Sequence, residues 1–189
     1  MATDKALLTE QLQSVFIERG YDGATLVHLA HATGLSKASL YHHYPGGKPE
    51  MAASLVRHAI ARLQRMAFQH LQAHTAPAQA LQEFIAGFAA YTNHGHSACF
   101  LAVISHHGTA HEEITPLQNE ISRQFGDWHK ALAATFEALG EKPKRADRKA
   151  HELIARLYGA LMNAKIHREP RLFEKAIARL TKEITQQTE

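Results

Sequence analysis

The sequence has a single cysteine, Cys99, among its 189 residues, which excludes a disulfide within one chain. It also has no apolar run that approaches the ~20 residues needed for a membrane-spanning helix. The first residues lack the basic and then apolar segments that mark a signal peptide. From these absences we expect a cytoplasmic protein with no membrane partner.

Motifs that carry enzyme chemistry are missing as well. We find no Gly-rich phosphate loop beside a predicted strand, no HExxH pair and no GxSxG elbow. No set of carboxylates and histidines is repeated on facing predicted helices. The sequence therefore predicts no catalytic residues, no cofactor and no metal site, and it argues against an enzyme.

Neither sign of charge dominates the composition. The chain has 21 Lys and Arg, 18 Asp and Glu, a net charge of +3 and a pI near 9.0. Nonspecific affinity for nucleic acid scales with the number of phosphates neutralised, so this composition does not by itself identify a DNA-binding protein. A DNA-binding protein of this charge depends on a few well-placed contacts and on doubling them by dimerisation.

Residues 25–48 do carry a distinct pattern, two short predicted helices joined by a glycine turn. Thr25 is suited to cap the first helix, and Gly34 ends it because glycine tolerates the sharp reversal that follows. The residues predicted to form its buried side are Val27, Leu29 and Ala30. Two helices joined by a turn of three or four residues are the signature of a helix-turn-helix.

The second predicted helix, Lys37 to His43, is the candidate recognition helix, and Ser36 is suited to cap it. At 100° per residue, Leu40 and Tyr44 point the same way, towards a core. The remaining arc carries a small alanine that can approach a thymine methyl and polar groups that can bond phosphates or base edges. The predicted DNA-binding residues here are Thr25, Ser36, Lys37, Ala38, Ser39, Tyr41 and His42.

A predicted phosphate site follows the recognition helix. Pro45 stops that helix, and Gly46 and Gly47 form a corner before a new helix that begins at about Lys48. Free backbone N–H groups, the positive end of the helix dipole and the Lys48 ammonium all attract an anion there. Lys48 completes the predicted DNA-binding set.

Residues ~4–50 resemble the DNA-binding domain of the TetR family of transcriptional regulators. The resemblance rests on Phe16, on ERGYDGAT from Glu18 to Thr25, on LAHATGLSKASLYHHY from Leu29 to Tyr44, and on Lys48. Family members usually carry Phe where Tyr44 stands and a Ser-Lys-Glu-like loop where residues 46–50 stand. The resemblance implies a homodimer whose two recognition helices lie about one DNA turn, ~34–36 Å, apart and read a palindromic operator.

The rest of the chain is rich in helix-forming residues, with breaks at proline and glycine. We predict helices over about 49–74, 78–93, 97–106, 115–139, 146–166 and 171–186, and a charged loop over 140–145. These helices should pack as a bundle. The predicted fold is all-α, with a three-helix helix-turn-helix domain at residues 1–50 and a helical-bundle domain for ligand binding and dimerisation at residues 51–189.

Apolar stripes on the last two predicted helices indicate a self-complementary face at the end of the chain. The first stripe consists of Leu153, Ile154, Leu157, Tyr158, Leu161 and Met162, and the second of Leu172, Phe173, Ala176, Ile177, Leu180 and Ile184. The family resemblance implies that two such helices from each chain form the four-helix interface of a homodimer.

The resemblance also implies a small-molecule inducer held between helices of the bundle. Its binding would tilt the helix that starts at Lys48 and change the spacing of the two recognition helices. If the inducer binds the tilted state more tightly than the DNA-binding state by ~3 kcal/mol, the affinity for DNA changes by more than ~100-fold. Aromatic residues of the middle helices are the candidate pocket, with plain core packing as the alternative. The pocket candidates are Phe84, Phe88, Tyr91, Phe100, Trp128 and Phe136, together with Cys99.

Cys99 lies in the segment HSACFLAVIS, which resembles the Cys-bearing middle-helix motif of several TetR-family subgroups. Some of those subgroups sense electrophiles or oxidants. His94 and His96 would lower the pKa of the thiol if they lie close to it in space. The alternative is a cysteine that packs as a small, inert hydrophobic side chain.

The 15 histidines leave a second interpretation open. Three histidine or cysteine side chains that come together can hold a zinc or copper ion, and several lie between residues 94 and 111. Gly95 and Gly108 interrupt that segment, however, and no pair shows metal-motif spacing. The clustered residues are His94, His96, Cys99, His106, His107 and His111. Our main interpretation is a repressor that an inducer or a reactive species releases from DNA, and the alternative is an all-α, His-rich metal-dependent enzyme or metal sensor.

Overall fold

The computed structural model describes residues 5–72, 76–106 and 112–186. Within those ranges the chain is almost entirely helical and has no β-strand, which confirms the all-α class. The helices are α1 (Lys5–Gly23), α2 (Leu26–Thr33), α3 (Lys37–His43), α4 (Gly47–Met66), α5 (Pro77–Tyr91), α6 (Phe100–Ser105), α7 (Thr115–Ala138), α8 (Pro143–His167) and α9 (Pro170–Gln186). Short 3-10 helices cover Phe68–Gln72 and Glu112–Ile114.

The chain divides into two compact units. Unit 1 consists of Met1–Ile60 and Cys99–Ser122, and unit 2 consists of Ala61–Ala98 and Arg123–Glu189. The predicted boundary at residue 50 falls inside α4, and both α4 and α7 contribute residues to both units. The helix-turn-helix therefore belongs to a unit that also includes α6 and the start of α7.

Local capping explains the two short helices of unit 1. The Thr25 hydroxyl accepts a hydrogen bond from the His28 N–H at 3.3 Å and caps α2. Gly34 follows α2 with φ +67°, a left-handed conformation that disfavours a side chain, so the glycine permits the turn. Ser36 caps α3 by accepting from the Ser39 N–H at 3.0 Å. These caps confirm the helix starts and the turn predicted from the sequence.

The core of unit 1 joins residues that lie far apart in the sequence. Phe16 of α1 is fully buried and meets the Phe100 ring edge-on, with 6.3 Å between centroids. Leu29 and Leu40 are fully buried too, as predicted. Val27 is 56% exposed, so its predicted place on the buried side of α2 was wrong. The eight-residue helix has room for only a narrow buried stripe, which Leu29 and Thr33 occupy, and Ala30, also predicted on the buried side, is half-buried.

The core of unit 2 contains a chain of touching aromatic rings. Phe68 stacks on Trp128 with 4.3 Å between centroids and also contacts Phe84 at 4.8 Å. Trp128 also contacts Phe125, and Phe125 contacts Tyr158. Phe88 then links Tyr158 to Phe173 of α9. We call this set the aromatic cluster, and it consists of Phe68, Phe84, Phe88, Phe125, Trp128, Tyr158 and Phe173.

Three predicted helix boundaries were wrong by three residues or more. α6 begins at Phe100 and not at residue 97. α4 ends at Met66, short of the predicted end at His74, and His74 itself lies outside the described residues. A Cβ on Gly87 would lie 1.7 Å from the Met66 carbonyl oxygen, so the backbone of α5 passes directly against the end of α4. α8 begins at Pro143, inside the predicted charged loop, because proline at the first helical position loses no hydrogen bond.

None of the helices in the described ranges is both long enough and apolar enough to cross a membrane.

Candidate nucleic-acid interface

One side of α3 faces away from the core of unit 1. Leu40 is fully buried and Tyr44 is 9% exposed, whereas Tyr41 is 46% exposed. Lys37, Ala38 and His42 are exposed as well. The outward surface of this short helix thus carries a methyl, a hydroxyl, an imidazole and an ammonium group. We call the surface formed by Lys37, Ala38, Tyr41 and His42 the α3 face.

Ser36 and Ser39 are engaged at the start of α3. The Ser36 hydroxyl caps the helix, and its oxygen also lies 2.9 Å from the Ser39 hydroxyl oxygen. Ser39 is only half-exposed. Each hydroxyl has one O–H donor and one of the two is used in the bond between them, so only one of these side chains can also donate to a phosphate oxygen. Their first role in the structure is to hold the recognition helix in place.

Thr25 lies at the start of α2, where it is exposed and caps the helix. The neighbouring His28 ring nitrogen Nδ1 lies 2.8 Å from the Gly23 carbonyl oxygen and further fixes this corner. Free N–H groups at a capped helix start attract phosphate. Thr25 is therefore exposed at a helix start, and its contact with a DNA backbone stays a prediction.

Lys48 packs against α1 and is only half-exposed. Its ammonium donates a hydrogen bond to the Tyr21 carbonyl oxygen at 3.1 Å and lies 4.3 Å from the centre of the Tyr21 ring. An ammonium has three N–H donors, so this one bond leaves donors for a phosphate. The ring and the carbonyl hold the cation in a fixed position.

The corner before α4 is also held by its own side chains. The Gly46 N–H donates to Glu50 Oε2 at 2.6 Å, so a carboxylate takes one of the free donors predicted to bind phosphate. Gly47 has φ +67°, and a Cβ there would lie 3.3 Å from Tyr41 Cε1. The bare glycine backbone thus lies beside the Tyr41 ring and limits how that ring can turn.

Tyr21 connects the helix-turn-helix to the segment before α7. Its hydroxyl donates to Glu113 Oε1 at 2.8 Å, and burial together with that carboxylate raises the pKa of the phenol. Burial also raises the pKa of Tyr44. Both phenols therefore stay neutral at the pH of a cell. Sequence reasoning missed the link to Glu113 because the two residues are 92 positions apart.

The predicted pocket residues are buried, but they divide between the two units. Phe84, Phe88 and Trp128 belong to the aromatic cluster of unit 2, where the Trp128 indole N–H donates to Gln64 Oε1 at 2.6 Å. Tyr91 is buried in the same unit with the Arg62 guanidinium 5.3 Å from its ring centre. Cys99 and Phe100 belong to unit 1, where Phe100 packs on Phe16. Phe136 is buried near Lys149, whose ammonium lies 5.7 Å from its ring.

The predicted histidine cluster is not assembled among the described residues. His94, His96 and His106 are exposed, and Cys99 is 2% exposed. The His106 ring bonds to its own helix, with Nδ1 2.6 Å from the Ala102 carbonyl oxygen. His107 and His111 lie outside the residues that the structure describes.

A different group of potential metal ligands is present in unit 2. His129 of α7 meets Asp147 and His151 of α8, and the three ligand atoms lie within 4.8 Å of one another. The His129 hydrogen bond lowers the pKa of the Asp147 carboxyl. Sequence reasoning missed this group because its members come from two helices. The four-residue spacing from Asp147 to His151, which puts both on one helix face, was the available signal.

Two family profiles match the chain. A profile described as "Bacterial regulatory proteins, tetR family" matches residues 10–55. A profile described as "Transcriptional regulator LmrA/YxaF-like, C-terminal domain" matches residues 77–179. The first covers the helix-turn-helix and the second covers more than half of the chain.

Curated relatives are similar over part of the chain. The HTH-type transcriptional regulator LmrA of Bacillus subtilis is 32% identical over 71 residues, which are 38% of this chain and 38% of that protein. The HTH-type transcriptional repressor AcnR of Corynebacterium efficiens is 38% identical over 56 residues, 30% of this chain and 29% of that protein. The matched segments thus span about a third of the length of these relatives.

Solved structures share the fold over nearly the whole chain. The TetR transcriptional regulator from Legionella pneumophila has a TM-score of 0.78 at 15% identity and covers 98% of this chain and 97% of its own. PfmR from Thermus thermophilus has a TM-score of 0.70 at 21% identity, with 96% and 97% covered. AibR, solved with isovaleryl coenzyme A and operator DNA, has a TM-score of 0.63 at 18% identity, with 80% and 84% covered.

Proposed function

The chain belongs to the TetR family of bacterial regulatory proteins, which are transcriptional regulators and not enzymes, and from this premise we propose that it represses transcription by binding a palindromic operator as a homodimer. A small-molecule inducer bound in unit 2 releases it from the operator. It acts in the cytoplasm, where bacterial DNA lies.

The observation that carries the proposal is the α3 face. A capped helix of seven residues turns Leu40 inward and presents Lys37, Ala38, Tyr41 and His42 outward. Such a helix fits the major groove, whose edges offer donors, acceptors and thymine methyls to these groups. Thr25 and Lys48 then contact phosphates and fix the register without reading sequence.

Exposed apolar side chains of α8 support the homodimer. Met162 is 53% exposed and Ile166 is 69% exposed, whereas Leu157 and Leu161 of the same helix are buried. Met162 and Ile166 are four residues apart and share one helix face. A second copy of α8 and α9 covers this face in an isologous interface. One chain alone reads half a site, so dimerisation supplies the second half.

The aromatic cluster supports an inducer that is largely apolar. Ligand pockets are lined mainly by apolar and aromatic side chains with a few polar groups, and Gln64 supplies an amide beside Trp128. The rings touch one another in the structure, so the inducer separates them as it enters. Because α4 contributes to both units, a shift of α4 in unit 2 moves the part of α4 that follows the recognition helix.

Burial of Cys99 favours a small-molecule inducer over a reactive species. A sensing thiol must reach its oxidant or electrophile, and Cys99 is 2% exposed. We expect wild type and Cys99→Ser to release operator DNA equally when titrated with an electrophile in a gel shift. Release by wild type alone would show that the thiol is a sensor.

The DNA-binding proposal is tested by selecting an operator from random duplexes with the full chain and measuring affinity by fluorescence anisotropy at several salt concentrations. We expect Tyr41→Ala and His42→Ala to weaken specific binding by ~1–3 kcal/mol each, because each removes a contact to a base or phosphate. Lys48→Ala should weaken binding to all sequences and flatten the salt dependence, because it removes a phosphate contact.

His58→Ala is the matched control, since His58 is an exposed histidine of α4 outside the α3 face. It should bind like wild type. Sedimentation of the complex should give two chains per palindrome. Unchanged affinity in all three test variants would show that the α3 face does not bind DNA.

A further inference from the structure

Three side chains of unit 2 form a cluster that the proposed repressor function does not use. His129 Nε2 lies 2.7 Å from Asp147 Oδ1, and the His129 and His151 rings are stacked with 3.8 Å between centroids. The three potential ligand atoms lie within 4.8 Å of one another. Of the histidines that the sequence analysis considered, the three in the described part of the chain, His94, His96 and His106, take no part in this cluster.

We propose that His129, Asp147 and His151 bind a divalent transition-metal ion, with zinc as its representative. Two imidazole nitrogens and one carboxylate oxygen are a common zinc donor set, and a water completes a tetrahedral site that has three protein ligands. Asp147 and His151 lie four residues apart on α8, so both project from one face of that helix towards His129 of α7.

The cluster combines one fixed ligand with two adjustable ones. The His129 side chain is 16% exposed and Asp147 is 61% exposed, and His151 is also exposed. The Nδ1 atom of His129 is buried, so its Nε2 atom is the nitrogen that an ion can reach. Zinc–nitrogen and zinc–oxygen bonds are about 2.0–2.2 Å long, and His151 reaches this geometry by turning out of its stack on His129.

Three of the basic residues near the site are paired with carboxylates. This matters because the start of α8 is rich in Lys and Arg, which would repel a cation. Glu141 contacts both Arg145, at 3.0 Å, and Lys149, at 2.6 Å. Arg148 is within 3.5 Å of Glu152. The carboxylate of Asp147 therefore remains the charge that faces the two imidazoles.

A bound ion joins α7 to α8 directly. Any ligand that binds the folded state and not the unfolded state raises the unfolding temperature, and here two helices become cross-linked as well. The ion therefore acts on unit 2 independently of the inducer and of the DNA-binding proposal, and it is testable in the absence of DNA.

The test uses the untagged full chain, stripped with a chelator and titrated with zinc chloride in a calorimeter against a competing chelator. We expect wild type to bind one zinc per chain at this site. Asp147→Asn and His151→Ala should each weaken the zinc affinity of that site at least ~10-fold, since the loss of a residue that only supports a ligand already lowers metal affinity about 10–100-fold. Both residues are exposed, so the metal-free variants should keep the wild-type unfolding temperature.

His70→Ala is the matched control. His70 Nδ1 lies 3.0 Å from Glu83 Oε2 in the same unit, a histidine–carboxylate pair outside the proposed site. This variant should bind zinc like wild type. Equal zinc affinity and stoichiometry in wild type, Asp147→Asn and His151→Ala would overturn the proposal.

Nitrogen-15 NMR of the histidine rings in wild type gives a result that needs no variant. Zinc should shift the ring resonances of His129 and His151 before those of other histidines. Shifts that appear first elsewhere, or equally at all histidines, would also overturn the proposal.

Discussion

Glycine at position 87 allows the backbones of α4 and α5 to meet. An added Cβ would lie 1.7 Å from the Met66 carbonyl oxygen and 2.8 Å from the Ala67 Cα, and both are backbone atoms that cannot swing aside. The approach therefore depends on a hydrogen atom in place of a side chain. It also accounts for the end of α4 at Met66, because the chain must turn away there.

We expect Gly87→Ala to lower the free energy of unfolding by about 1–3 kcal/mol or more, because the added methyl forces two backbones apart. Gly126→Ala is the matched control. Gly126 lies within α7, and its Cβ would meet nothing within 4 Å, so alanine should stabilise the helix by about 0.5–1 kcal/mol. Urea unfolding followed by circular dichroism measures both, and equal effects of the two variants would contradict the account.

At the scale of elements, α8 and α9 are tied by a two-pronged ion pair. Arg156 Nη1 donates to Glu183 Oε2 at 2.6 Å, and Nη2 donates to Oε1 at 2.9 Å. The bond from Arg156 lowers the pKa of Glu183 below its ordinary value of 4.5. The side chains are 50% and 46% exposed, so solvent weakens the pair and we expect about 0.5 kcal/mol from it.

The pH dependence of this pair has a definite sign. A lowered carboxyl pKa in the folded state means that the unfolded state binds more protons as the pH falls. The stabilisation is therefore fully present above the ordinary Glu pKa and is lost as the pH falls through the lower, folded value. A double-mutant cycle with Arg156→Ala and Glu183→Gln should show coupling near pH 7 and none near pH 2. Coupling that persists in acid would contradict this assignment.

The sequence predicted those elements whose signals are local. The Thr25 and Ser36 caps and the Gly34 turn depend on residues within three positions of one another, and the structure confirms them. The side chains of Leu40 and Tyr44 follow from helical periodicity and are buried as predicted. The DNA-binding role of the α3 face stays a prediction.

Contacts between distant residues were not predictable in this way. Phe100 was predicted to line a pocket, but its ring packs on Phe16 in unit 1. Lys48 was predicted to meet phosphate, and nothing in its local sequence indicates the bond to the Tyr21 carbonyl. Only the folded chain brings His129 to Asp147 and His151. Periodicity identifies which side of a helix is buried, but not which helix will cover it.

In the whole molecule, the proposed function combines one DNA-binding face per chain with a two-fold assembly. Each recognition helix contributes a few contacts, and the modest net charge of +3 adds little nonspecific attraction. In the proposed dimer, two chains joined through α8 and α9 double those contacts. The recognition helices of such a dimer meet successive major grooves on one side of the duplex.

Tethered cleavage of operator DNA tests this claim most directly. An iron chelate attached through His43→Cys, an exposed position at the end of α3 that is not one of the proposed DNA contacts, places a cutting reagent beside the α3 face, while native Cys99, 2% exposed, stays unlabelled. We expect two clusters of cuts, one in each half-site, centred about one DNA turn, ~34–36 Å, apart. Glu137→Cys, an exposed position on α7 outside the proposed dimer helices, should give no such clusters. A single cluster, or the same pattern from both labelled positions, would contradict this expectation.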